Sequence, residues 1–121
     1  MFKMTITAGA QYDRNGRVIA DFPQKLRAIN KHIAATFGGY TVADTFGGWI
    51  NGEGQLVEER GTQWQVYMPR VLHGDAAQKI AHDLAALVGA VLNQESVVAE
   101  VTAAAAEFVP QPANDNAKAA A

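Results

Sequence analysis

The sequence predicts an α+β domain of the ferredoxin-like β-α-β-β-α-β kind: a four-stranded antiparallel sheet with two helices on one face. Three observations predict it: two amphipathic helical stretches, a glycine-rich hairpin signal between them, and alternating apolar segments at either end. The chain has 121 residues, room for one domain, and its large apolar residues lie mostly between positions 4 and 101, enough for one core. Residues 1–109 are assigned to this domain, and residues 110–121, rich in Ala, Pro and Asn, to a disordered tail.

Each element has its own signal. Met4, Ile6 and Ala8 alternate with Thr5 and Thr7, the period-two pattern of a half-buried strand. Asp13-Arg14-Asn15-Gly16-Arg17 reads as a turn. Asp21 suits a helix N-cap, Pro23 the first turn, and Gln24 completes a capping-box spacing. Leu26, Ile29, Ile33 and Phe37 then share one helical face, and Gly38-Gly39 ends the helix. Residues 40–50 form a second strand, with a bulge or bend expected at Gly47-Gly48. Asn51-Gly52-Glu53-Gly54 turns the chain into a returning strand over 55–68, which Pro69 stops.

Asp75 suits the cap of a second helix whose apolar face carries Ala77, Ile80, Leu84, Leu87, Val88 and Val91, closed by Asn93. Val97, Ala99 and Val101 give the last strand, and residues 103–106 fit either a short helical extension or the start of the tail. Right-handed crossovers place the first and third strands at the sheet centre. With Met4, Ile6, Trp64, Val66 and Met68 toward the helices, Thr5, Thr7, Gln63, Gln65 and Tyr67 line an open face that is polar but uncharged at its centre.

Composition excludes several classes of function. A net charge of −2 and ten scattered basic residues give no electrostatic footprint for nucleic acid. The absence of cysteine rules out a disulfide, a thiolate zinc site and a cysteine nucleophile. No apolar run is long enough to cross a bilayer, and the N-terminus lacks the apolar stretch of a signal peptide, so a cytoplasmic protein without membrane partners is expected.

Phe37-Gly38-Gly39-Tyr40-Thr41-Val42, Gly48-Trp49, Gly54, Leu56-Val57, Glu59 and Gln94-Glu95-Ser96-Val97 together resemble a widespread bacterial family classed only as a domain of unknown function. The resemblance covers residues 1–101 and implies the ferredoxin-like fold without supplying a reaction. It departs from the family at Gly61, where a serine is common, and in lacking the export signal of many members. A compact version with an alanine-rich tail suits a phage or plasmid product.

Candidate chemistry is sparse. His32, His73 and His82 have no partner at a recognised ligand spacing, so no metal and no cofactor are expected, and His73, in the loop before the second helix, is the best placed to meet a ligand. Glu58 and Glu59 are neighbours on a strand and point to opposite faces, which denies them a shared acid–base role. Glu59 can still anchor a ligand and Arg60 grip an anion, although a solvated strand end explains both. Trp49 beside Gly47-Gly48 serves either as a stacking surface or as core, and Tyr67 is the better exposed aromatic. Ser96, the single serine, stands at a strand start rather than on a strained nucleophile elbow.

These absences favour a non-enzymatic, homo-oligomeric binding protein. It would hold a small polar or anionic, nucleotide-like ligand through Trp49, Glu59, Arg60, Tyr67 and His73, or block a protein partner. In a mobile element that means sequestering a host signalling nucleotide or countering a defence protein. The alternative is a cofactor-independent enzyme of the dimeric α+β type, isomerase- or oxygenase-like, using His73, Glu59 and Tyr67. An adaptor acting through its tail ranks last.

Overall fold

A computed structural model describes residues 1–113. The expected tail is therefore seen only as far as residue 113, and its remainder, 114–121, lies outside the described residues. The elements run β1 (Phe2–Gly9), α1 (Phe22–Phe37), β2 (Thr41–Ile50), β3 (Leu56–Met68), α2 (Gly74–Leu92) and β4 (Val98–Ala103). The sheet order is β2-β3-β1-β4 with every neighbouring pair antiparallel, which is the ferredoxin-like arrangement. β1 and β3 occupy the centre, as the right-handed crossovers require. Residues 103–106 add no helix; β4 ends at Ala103 and irregular chain follows.

The core lies between the sheet and the helices. Met4, Ile6 and Ala8 from β1 meet Trp64, Val66 and Met68 from β3, under Ile29 and Ile33 of α1 and Ala77, Ala81, Leu84, Ala85, Val88 and Leu92 of α2. Its largest member is Trp64, fully buried, whose indole Nε1–H donates to Asn30 Oδ1 at 2.8 Å and ties α1 to the sheet. The hydrogen bond matters because an indole N–H buried without a partner is expensive. The apolar face of α2 is turned slightly from the expected one: Ala81, Ala85 and Leu92 are buried, while Ile80, Leu87 and Val91 are only half-buried. Small alanines let the helix lie close to β1 and β4.

Three local expectations are corrected. Asp21 does stand at the N-cap of α1, but its backbone is left-handed (φ 53°) and its carboxylate caps nothing, because capping geometry needs an extended residue there. The cap position of α2 is His73, not Asp75, which falls in the first turn where its charge suits the positive end of the helix. No bulge forms at Gly47-Gly48: the β2–β3 ladder is continuous, with Gly47 opposite Glu59 and Gly48 opposite Glu58. The closures hold as expected, with Gly38 and Asn93 left-handed after their helices.

The hairpin turn also forms as expected. Asn51 Oδ1 accepts from the backbone N–H groups of Glu53 and Gln55, both at 2.9 Å, and Gly54 takes the positive φ (76°) that the turn demands. β2 carries no buried residue over its whole length. No helix of the described residues is long and apolar enough to cross a membrane.

Candidate functional site

The site grows from a pair of glycines. β1 ends at Gly9, which pairs with Gly61 of β3, and Gly61 pairs in turn with Thr45 of β2. Neither position has room for a side chain. A Cβ on Gly61 would lie 2.5 Å from Thr45 Oγ1 and 2.9 Å from the Ala8 carbonyl oxygen. A Cβ on Gly9 would lie 2.6 Å from Gln94 Oε1 and 3.3 and 3.4 Å from the two carboxylate oxygens of Glu59. Three acceptor oxygens thus converge on one point above bare backbone.

Glu59 reaches that point because alternation along β3 puts it, with Gly61, Gln63, Gln65 and Tyr67, on the face away from the helices. It is half-buried, and among the described residues no ion pair or side-chain hydrogen bond engages its carboxylate. Gln94 comes from the opposite direction, two residues past the end of α2, and is buried. Its Nε2 donates to the carbonyls of Tyr12 at 2.9 Å and Leu92 at 3.2 Å, so the amide nitrogen is committed and Oε1 must face the other way, toward Gly9. Further along the open face Gln63 Nε2 donates to Thr7 Oγ1 at 3.1 Å, and Gln65 Nε2 to Gln63 Oε1 at 3.3 Å. The face is polar as expected, but it is not free of charge: Glu59 stands at one end, and Lys3 and Glu100 lie on it opposite Tyr67 and Thr5.

Beside Gln94 lies a groove of about 500 Å³ between α2 and the chain leading into β4. Ala85, Ala86, Gly89, Ala90, Arg14 and His82 are among its lining residues. The size is that of a small-molecule site. The approach is close, since a Cβ on Gly89 would come within 3.3 Å of Val97 Cγ2. The loop holding Arg14 is shaped by Asp13, whose Oδ1 accepts from the N–H groups of Asn15 and Arg17. The hydrogen bond from Arg17, above all, holds the Asp13 carboxyl below the usual carboxylate range.

The five residues expected to share a site are dispersed. Trp49 and Glu59 are together: Trp49 pairs with Val57, and Gly47 with Glu59, so the two side chains are diagonal neighbours on the open face. Trp49 is 54% exposed, which corrects the reading of it as core; the buried tryptophan is Trp64. Arg60 falls on the other face, opposite Phe46. Tyr67 is on the open face but eight residues from Glu59 along the strand, roughly 27 Å away. There it meets Phe108 edge-on, with ring centroids 6.0 Å apart. His73 lies beyond that far end, exposed before α2. Gln94 and Gly9 were not among the expected site residues. The signal for Gln94 is faint: a polar residue directly after a helix-closing Asn. Among the described residues no group of three His, Asp or Glu is arranged to hold a metal ion.

No protein-family model matches the chain, and no curated protein matches it. Solved structures do. A phage SAM lyase in complex with S-methyl-5′-thioadenosine superposes with a TM-score of 0.60 at 22% identity, over 84% of this chain and 79% of that one. The apo state of a phage SAM lyase matches with the same score and identity, over 84% and 78%. At that identity the likeness is one of fold. It corrects the expectation of a non-enzymatic binding protein, because the neighbour carrying this fold is an enzyme. The expectation was drawn from side-chain spacings along the sequence, which do not reveal groupings such as Glu59 and Gln94, brought to the two sides of Gly9 by the fold.

Proposed function

We propose that the chain is a small enzyme that binds a sulfonium nucleoside of the S-adenosylmethionine class and cleaves a carbon–sulfur bond in it. The observation that carries this reading is the placement of the Glu59 carboxylate and Gln94 Oε1 around Gly9, with no side-chain hydrogen bond to these oxygens among the described residues. Acceptors without donors are complementary to a group that brings positive charge or N–H and O–H bonds. S-adenosylmethionine brings an ammonium group, ribose hydroxyls and a sulfonium, and its nucleoside part suits the adjoining groove in size. The fold neighbour and its bound thioether nucleoside support the same reading.

The chemistry limits what Glu59 does. When the carbon–sulfur bond breaks, its electron pair passes to sulfur, which becomes a neutral thioether, and the released carbon is captured within the amino-acid arm or the arm gives up a proton. Positive charge therefore leaves sulfur in the transition state. A carboxylate placed against sulfur would hold the substrate more tightly than that state and slow the step. Glu59 serves better on the ammonium or ribose hydroxyls, orienting the arm while sulfur rests on apolar surface.

Two further parts belong to this proposal. The uncovered apolar residues of β2 and its free edge support a homo-oligomer. The phage source of the neighbour supports a mobile-element origin, in which cytoplasmic removal of a methyl donor would act against methylation-dependent host defence. The test is direct: purified protein is incubated with S-adenosylmethionine and the mixture chromatographed for methylthioadenosine. Release is expected, falling on the order of 10²-fold in Glu59→Gln with the melting temperature kept. A folded wild type that releases no thioether, or a Glu59→Gln variant as fast as wild type, overturns the reading.

A further inference from the structure

We infer that residues 10–14 form a clasp that sets the spacing of the site, with Gln11 and Arg14 as positioning residues for Glu59 and Gln94. The inference rests on the proposed site but not on the proposed reaction. One end of the clasp is fixed to β3 directly after Glu59. The Ala10 N–H donates to the Arg60 carbonyl at 3.0 Å, and the Arg60 N–H donates back to Gln11 Oε1 at 2.7 Å. β1 has ended by then, so Gln11 supplies with its side chain the acceptor that another residue of a strand would have supplied with its backbone.

The other end is fixed to the chain leaving α2. The Arg14 N–H donates to the Asn93 carbonyl at 2.8 Å, and Arg14 Nη2 donates to the Gln94 carbonyl at 2.8 Å. Between these ends the Tyr12 carbonyl takes the Gln94 side-chain amide. The backbone N–H of Gln94 is in turn held by the Gly89 carbonyl at 2.9 Å. Every polar group of Gln94 but one is thus engaged, and the one left over, Oε1, lies with the Glu59 carboxylate around the Cβ position of Gly9. The loop itself is stiff: the Asp13 N–H donates to the Arg17 carbonyl at 2.8 Å, the Gly16 N–H to the Asp13 carbonyl at 2.9 Å, and Tyr12 bridges Val18.

A short, stiff loop pinned to both acceptor-bearing segments fixes their separation. Its two side-chain pins are replaceable without touching the backbone hydrogen bonds. Removing either loosens the aim of one acceptor while the core, which contains neither Gln11 nor Arg14, stays packed.

The experiment follows the side-chain amide of Gln94 by ¹⁵N-correlated NMR on the full chain, its resonances assigned by their loss in Gln94→Met. Arg14→Ala and Gln11→Met are compared with Arg14→Lys and Gln11→Glu, which keep a donor and an acceptor respectively. The expected result is that the Gln94 Nε2 protons move toward free-glutamine shifts and exchange faster with solvent in Arg14→Ala and Gln11→Met, with backbone dispersion preserved, and recover in the conservative pair. Methylthioadenosine affinity, measured by calorimetry, should fall about tenfold in Arg14→Ala. Gln94 side-chain resonances identical to wild type in both Arg14→Ala and Gln11→Met overturn the clasp. A wild type that binds no methylthioadenosine overturns the proposed function instead, and the resonances still decide the clasp.

Discussion

β3 runs through two environments, and the contrast between them organises the molecule. Its second half, from Gly61 to Met68, lies at the sheet centre beneath the helical layer, with alternate residues buried. Its first half, from Leu56 to Arg60, leaves the helices behind and pairs only with β2. One strand with one hydrogen-bonding pattern is core at one end and an uncovered arm at the other. The arm is not polar in compensation. Phe46, Ile50 and Leu56 are all exposed on the side facing the helices' layer, Phe46 by 69%. Pairing fixes where the backbone goes, but burial is decided by what lies over it, and α1 and α2 lie over β1, β3 and β4.

The contrast can be broken from the packed side with the largest effect. Trp64→Ala empties the biggest buried volume and orphans Asn30; chemical denaturation should show a loss of about 3–5 kcal/mol. A loss under about 1 kcal/mol would mean that the two halves are less different than their burial suggests. At the junction of the halves, Gly61→Ala forces a methyl group against Thr45 Oγ1 and the Ala8 carbonyl, and should destabilise by about 1–3 kcal/mol in the same assay. The smallest effect belongs to the arm. Phe46→Ser should shift monomer stability by no more than about 0.5 kcal/mol, while native mass spectrometry should show any oligomer dissociating.

Much of this architecture was legible beforehand. The element order, the central strands and the polar open face follow from period-two and period-3.6 patterns that survive folding unchanged. Trp49 and Trp64 show where legibility stops. Both sit in alternating strand segments next to small or polar residues, yet one is buried and the other exposed, because the difference lies in how far the helices extend over the sheet. The candidate site was half-legible. Glu59 stood out as a charge on a strand, but its partner Gln94 is brought in by contacts with Tyr12 and Arg14, some 80 residues away in the chain. No local spacing encodes a contact of that range. Arg60, Tyr67 and His73 were grouped with Glu59 by sequence proximity and chemical type, and strand geometry separates them.

The Gly9–Gly61 pair carries a consequence for recognition. Having no side chains of their own, the two glycines leave the space above them to the oxygens of Thr45, Gln94 and Glu59, and each long side chain a ligand does not have to order there spares about 0.5–1.5 kcal/mol of affinity. The pair also sets a tight boundary: even a methyl group on Gly9 or Gly61 would meet a side-chain oxygen at 2.6 or 2.5 Å. A chain this small, with few side chains to devote to a site, can discriminate through what it leaves out.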